Sequence, residues 1–107
     1  MHTVTTRADV DALFARPLAL VYKHSMTCPI SRAAHQEMDA LLAQRPDAPV
    51  YMIDVNRSRD ASNYVAERTG LRHESPQAIV LRDGQPAWHA AHFSITRDSV
   101  AAALDAG

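Results

Sequence analysis

A single cysteine, Cys28, stands in a chain of 107 residues. With no second thiol the chain cannot close an internal disulfide, so any disulfide it forms joins it to another molecule. A surplus of charge is missing too. The formal net charge is -1 and the pI near 6.6, which leaves no broad positive field and argues against nucleic acid or an anionic membrane as the main partner. No apolar run approaches the ~20 residues that span a bilayer. The opening Met1-His2-Thr3-Val4-Thr5-Thr6-Arg7 lacks the apolar core of a secretion signal, so the expected compartment is the cytoplasm. No internal repeat, linker or low-complexity segment is visible.

What is present is the make-up of one globular domain. Apolar residues are 47% of the chain and charged ones 21%, and the length suits a single core; residues 1–107 are read as one domain. Thr6-Arg7-Ala8-Asp9 has capping-box spacing ahead of Val10, Leu13 and Phe14, which recur at helical period. After Arg16-Pro17, Leu18-Ala19-Leu20-Val21-Tyr22 is a continuous apolar run of strand length, the pattern of a strand covered on both faces. Pro29 then starts a helix in which Ile30, Ala33, Ala34, Met38, Leu41 and Leu42 share a face, ending near Arg45-Pro46.

Val50 to Val55 reads as the next strand, giving a strand, helix, strand unit with two parallel strands. Asn56 or Ser58 caps a helix through Ala61, Tyr64, Val65 and Ala66 that stops at Gly70. Gln77-Ala78-Ile79-Val80-Leu81 and Gln85-Pro86-Ala87-Trp88-His89 flank an Asp83-Gly84 turn as a hairpin, with Pro86 confining the second strand to an edge. Thr96 caps a last helix carrying Val100, Ala103 and Leu104. This order predicts an α/β fold resembling thioredoxin, a mixed central sheet of about four strands flanked by helices. Trp88, Tyr64 and Phe93 are read as packing residues.

With Pro29 at the first helical position, Cys28 is the N-cap, and its sulfur can face the unpaired amides of Ile30 and Ser31. The positive end of the helix favours thiolate, the form that attacks disulfides. A lone cysteine is ordinarily a small inert core residue; this setting points the other way. Ser31 occupies the place of the resolving cysteine in a two-cysteine motif. Its hydroxyl either donates to the sulfur or is an ordinary exposed first-turn serine. His24, at the end of the central strand, either tunes the thiolate and moves protons or is a surface loop residue.

Pro76 precedes the third strand. Composition alone favours a trans bond there, whereas analogy with the thioredoxin fold favours cis and places the backbone of Ser75 and Gln77 against an incoming substrate. No metal set is evident. Cys28 and His35 are two helical turns, roughly 10 Å, apart, and His89 and His92 lack further ligands.

Tyr22-Lys23-His24-Ser25-Met26-Thr27-Cys28-Pro29-Ile30-Ser31 resembles the active segment of the monothiol bacilliredoxins, the YtxJ-like branch with a Thr-Cys-Pro-Ile motif. Ser62-Asn63-Tyr64, His73-Glu74-Ser75-Pro76-Gln77-Ala78, Asp83-Gly84 and Trp88 to Phe93 also look like that family. The resemblance spans most of residues 18 to 96. It implies a catalytic Cys28 that takes bacillithiol from capped protein cysteines, with Thr27, Pro29, Ile30, Ser31 and His24 stabilising the thiolate. Partners would be S-bacillithiolated proteins and bacillithiol itself, a co-substrate rather than a tightly bound cofactor. Bacillithiol joins cysteine, glucosamine and malate, and its carboxylates call for cations or amides; Lys23, Arg32, Arg72 and His73 are candidates by position, each also readable as solvated surface.

Two other functions compete with this reading. Monothiol glutaredoxins hold an iron-sulfur cluster between two subunits, but their usual Cys-Gly-Phe-Ser is replaced here by Cys28-Pro29-Ile30-Ser31. A redox-inert adaptor on the same fold would leave Cys28 no more reactive than a free cysteine.

Overall fold

A computed structural model describes residues 1–106. The sheet grows from β2, Leu18–His24, which pairs in parallel with β3, Val50–Asp54, and antiparallel with β4, Gln77–Arg82. The hairpin strand β5, Gln85–Ala91, closes one edge. At the other edge His2–Thr3 forms β1, parallel to β3, so the sheet has five strands in the order β1-β3-β2-β4-β5, one more than expected. Two residues are too few to show a strand period. Their pairing is held by the lead-in to the first helix, where the Val4 N–H donates to Met52 O at 2.8 Å.

Side chains of β2 alternate between two cores. Ala19 and Val21 pack with Val10, Leu13, Ile53 and Val65 beneath α1, Arg7–Phe14, and α3, Arg59–Thr69. Leu20 and Tyr22 pack with Met38, Leu41, Val80 and Val100 beneath α2, Pro29–Gln44, and α4, Arg97–Asp105. Each large apolar side chain so buried is worth about 1.5–3 kcal/mol relative to exposure, which is why the apolar run of β2 becomes the middle of the sheet.

Helix starts follow the local chemistry. Thr6 and Asp9 close the predicted capping box, and Thr96 closes another with Ser99. Ser58, not Asn56, is the N-cap of α3, and Gly70 ends that helix at φ 71°. Asp83 and Gly84 both take positive φ in the β4–β5 turn, the conformation a two-residue hairpin needs. A bulge between Val80 and Leu81 shifts the register there, and Pro86 lies on the open edge where no ladder bond is lost.

The topology brings three loops to one rim of the sheet. Cys28 follows β2, and Val55 follows β3 and donates its N–H to His24 O at 2.9 Å. Lys23 and Gln77 are register partners, so the loop that ends in Pro76 leaves the sheet beside them. Open α/β sheets bind ligands at the carboxyl ends of their parallel strands.

Candidate active site

Cys28 has extended backbone (φ -100°, ψ 122°) and is the N-cap of α2, with Pro29 opening the helix. The cysteine is partly exposed. In the thiol form no cap hydrogen bond is closed by its side chain. The amide of Ser31 nevertheless lowers the thiol's pKa most, followed by the amide of Ile30 and the Ser31 hydroxyl, with desolvation opposing them. These are the groups a thiolate at a helix N-terminus draws on.

Ser31 is wholly buried, so the exposed-serine reading does not hold. Its Oγ accepts the Ser25 N–H at 3.2 Å, which leaves the hydroxyl proton free to point elsewhere. The Cys28 N–H donates to Ser25 O at 3.3 Å, and the Thr27 and Ser25 hydroxyls meet at 3.3 Å. The loop carrying the thiol is therefore tied at both ends by polar contacts.

His24 is 7% exposed, so it is not a surface histidine. Its Nδ1 lies 2.9 Å from the Tyr22 hydroxyl, which donates to Ser31 O at 3.1 Å. The phenol has one proton and a carbonyl can only accept, so His24 Nδ1 carries the proton and donates to Tyr22. Desolvation, helped by His35, holds the His24 pKa below its ordinary value while Asp54 and the Ser31 carbonyl oppose. The His24 and His35 rings are 5.0 Å apart. Beside them opens a cavity of about 410 Å³ lined by Cys28, His24, Arg32, His35, Gln36 and Met52.

Across the rim, the Ser75–Pro76 bond is cis, the isomer that fold analogy favours. The Gln77 side chain is buried and braces this loop: its Nε2 donates to Arg72 O at 3.0 Å, and its Oε1 accepts the Glu74 N–H at 3.4 Å. Pro76 O accepts the His92 N–H at 3.1 Å. Ser75 Oγ is buried with no partner among the described residues, the kind of group that a ligand or water must satisfy.

The four cationic candidates separate into three clefts. Arg32 shares the Cys28 cavity. Arg72 lines a groove of about 590 Å³ along β5 with Glu74, Gln77 and Trp88. Lys23 is wholly buried and turns to the α3 side, donating to Ser62 O at 3.0 Å and to His73 Nδ1 at 3.1 Å. Of the predicted packing residues, Trp88 is half-buried against the core and Phe93 is 72% exposed. Phe93 stands in a short 3-10 turn, His92–Ser94, which lifts it off the core. Among the described residues no group of His, Cys, Asp and Glu gathers to hold a metal.

Sequence reasoning missed the Tyr22–His24–His35 cluster. The first two are alternate residues of one strand, but His35 joins them only when α2 packs on the sheet. The burial of Lys23 had a signal: it continues an apolar run that demands cover on both faces.

Residues 2–100 match the family described as monothiol bacilliredoxin BrxC. A solved structure with a thioredoxin fold, assigned as an oxidoreductase, is 33% identical and superposes with a TM-score of 0.89, covering 95% of this chain and 91% of its own. Fasciola hepatica thioredoxin superposes at TM-score 0.76 with 17% identity, covering 97% of this chain and 96% of its own. Mitochondrial thioredoxin 3 of Saccharomyces cerevisiae does so at 0.75 with 14% identity, covering 97% and 92%. The last two share the fold alone. With the family match running through the thiol helix, the proline loop and the sheet that joins them, the chain belongs to the monothiol bacilliredoxin family.

Proposed function

We propose that this protein removes bacillithiol from S-bacillithiolated proteins by thiol-disulfide exchange at Cys28. The observation that carries the reading is a partly exposed thiol at a helix N-terminus, its pKa lowered by the Ser31 and Ile30 amides, in a chain with no other cysteine. Only a thiolate exchanges quickly, and only an outside thiol can free this one afterwards.

In the first step the Cys28 thiolate attacks the bacillithiol sulfur of the capped protein. A new bond forms between Cys28 and bacillithiol, the protein–bacillithiol bond breaks, and its electron pair leaves on the client cysteine as thiolate. In the second step a free bacillithiol thiolate attacks the bacillithiol sulfur on Cys28. Bacillithiol disulfide departs and the Cys28 thiolate returns, so each client thiol freed costs one free bacillithiol, which leaves oxidised in the disulfide.

The client backbone lies beside Ser75 and Gln77, with the orphaned Ser75 hydroxyl available to it, and the Cys28 cavity with Arg32 receives part of the cap. The Ser31 hydroxyl and the neighbouring amides hold the sulfur as thiolate, and the loop through Thr27 and Pro29, tied to Ser25, keeps it at the rim. Cytoplasmic conditions, where thiols stay reduced, suit such a cycle. Purified protein mixed with a bacillithiolated client should release the client thiol and acquire a bacillithiol adduct, and Cys28→Ser should do neither. Release of client thiol by Cys28→Ser at the native rate would end the proposal.

A further inference from the structure

Lys23 poses a problem that the thiol chemistry leaves unanswered. Its ammonium is wholly buried, yet no carboxylate among the described residues lies within ion-pairing distance of it. Its partners are a carbonyl, Ser62 O, and an imidazole, His73 Nδ1. A buried cation without a counter-charge is strongly unfavourable. Those two partners, Ser62 and His73, line a cavity of about 400 Å³ together with Val55, Asn56, Arg59 and Asn63.

Every polar group on that wall can donate. An ammonium only donates, so His73 Nδ1 accepts from Lys23 and the ring proton sits on Nε2, at the opposite edge of the imidazole. The Ser62 hydroxyl also reaches His73 Nδ1, at 3.3 Å. Burial and the charge of Lys23 outweigh the opposing charge of Glu74 and hold the pKa of His73 below its ordinary value, so the ring serves as a neutral donor. Arg59 forms no ion pair among the described residues, and Asn56 and Asn63 add two carboxamides. The nearby acids are occupied: Glu74 faces His92 at 3.4 Å, and Asp54 Oδ1 accepts the Asn56 and Arg57 amides.

We infer that this cavity is an anion subsite that takes a carboxylate of the low-molecular-weight thiol, with Arg59, Asn56, Asn63 and His73 as donors and Lys23 as a buried positive charge behind Ser62 and His73. The inference rests on the proposed function for the identity of the thiol. Its position suits the task, because Val55 at the cavity wall is hydrogen-bonded to the end of the strand that leads to Cys28. Ser62, Asn63 and His73 belong to the segments that carry the family resemblance, and they converge here rather than around Cys28.

The test compares two caps on one client protein, bacillithiol and the uncharged 2-mercaptoethanol. Arg59→Glu and Asn63→Asp reverse the polarity of the wall at exposed positions, and an acidic residue in the first turn of α3 suits the helix dipole. The ratio of the two second-order rate constants, bacillithiol over mercaptoethanol, should fall about tenfold in each variant, the weight of one charge-assisted contact. A ratio that stays at the native value overturns the subsite while leaving the proposed function standing. If native protein ignores the bacillithiol cap, the proposed function fails, and titration of 15N-labelled protein with malate decides the subsite by itself. Saturable shifts at Asn56, Asn63 and His73 that Arg59→Glu abolishes support it, and unmoved resonances overturn it.

Discussion

Ser31 Oγ accepts the backbone N–H of Ser25 at 3.2 Å, so the residue in the resolving position is built into the loop that presents the thiol. It is wholly buried, which places a hydroxyl under Cys28 where two-cysteine relatives of the fold place a second sulfur. Ser31→Cys should therefore make Cys28 self-resolving. The variant is expected to form an internal disulfide on mild oxidation, lose both free thiols, and shed a bound cap without a second small thiol. Thiol counting and intact mass under oxidation check this; retention of two free thiols refutes it.

Thiolate stabilisation at Cys28 has a measurable pH signature. The amides of Ser31 and Ile30 lower its pKa below the ordinary thiol value, so the rate of alkylation by iodoacetamide should rise through a midpoint below that of free cysteine. Ser31→Ala removes only the hydroxyl contribution and keeps the amide, the largest cause. Its midpoint should move upward but stay below the free-cysteine value. A midpoint unchanged by Ser31→Ala would show that the hydroxyl does not face the sulfur.

Lys23 should make the fold more stable in mild alkali. Burial lowers its pKa from 10.5 to about 8, so between those values the native state has lost a proton that the unfolded chain still holds, and stability rises with pH. The gain is up to about 2 kcal/mol from pH 8 to 10. Below pH 8 both states are protonated and the burial penalty is constant. Above pH 10 the trend reverses, because the Tyr22 hydroxyl, desolvated and with its pKa raised, keeps its proton when unfolded tyrosine loses it. Urea unfolding of native protein and Lys23→Met across this range isolates the effect. Cys28 is common to both proteins, and the native protein should gain on the variant by up to about 2 kcal/mol between pH 8 and 10.

Two glycines with similar φ should respond unequally to alanine. Gly70 at φ +71° has open space where a Cβ would sit, whereas at Gly84, φ +77°, that atom would lie 2.8 Å from Phe14 O. Gly70→Ala should cost about 1 kcal/mol for the left-handed backbone alone. Gly84→Ala should cost about 2–3 kcal/mol, because the hairpin turn must also move off the end of α1. Thermal or urea denaturation ranks the two, and equal losses would show that the turn relaxes freely.

The fold was legible because its signals are local. Capping at Thr6 and Thr96, the proline at position 29, the Asp83-Gly84 turn and the apolar run of β2 each act within a few residues, and their order leaves few ways to form one sheet. Strand β1 escaped because two residues carry no period, and its partner Tyr51 lies far along the chain.

For the site, the sequence by itself determined the lone thiol and its helix-end setting: one cysteine, a proline after it, a serine where a second thiol would stand. Those features depend on neighbours along the chain, and backbone amides at a helix start need no tertiary help to favour an anion. Only the tertiary structure decided what surrounds the thiol. Side-chain alternation along β2 sent His24 to meet His35 under α2 and Lys23 to the other face against Ser62 and His73. Four side chains that look equivalent along the chain, Lys23, Arg32, Arg72 and His73, thereby ended beside three separate cavities, because the face each one meets is settled only when the helices and loops pack on the sheet.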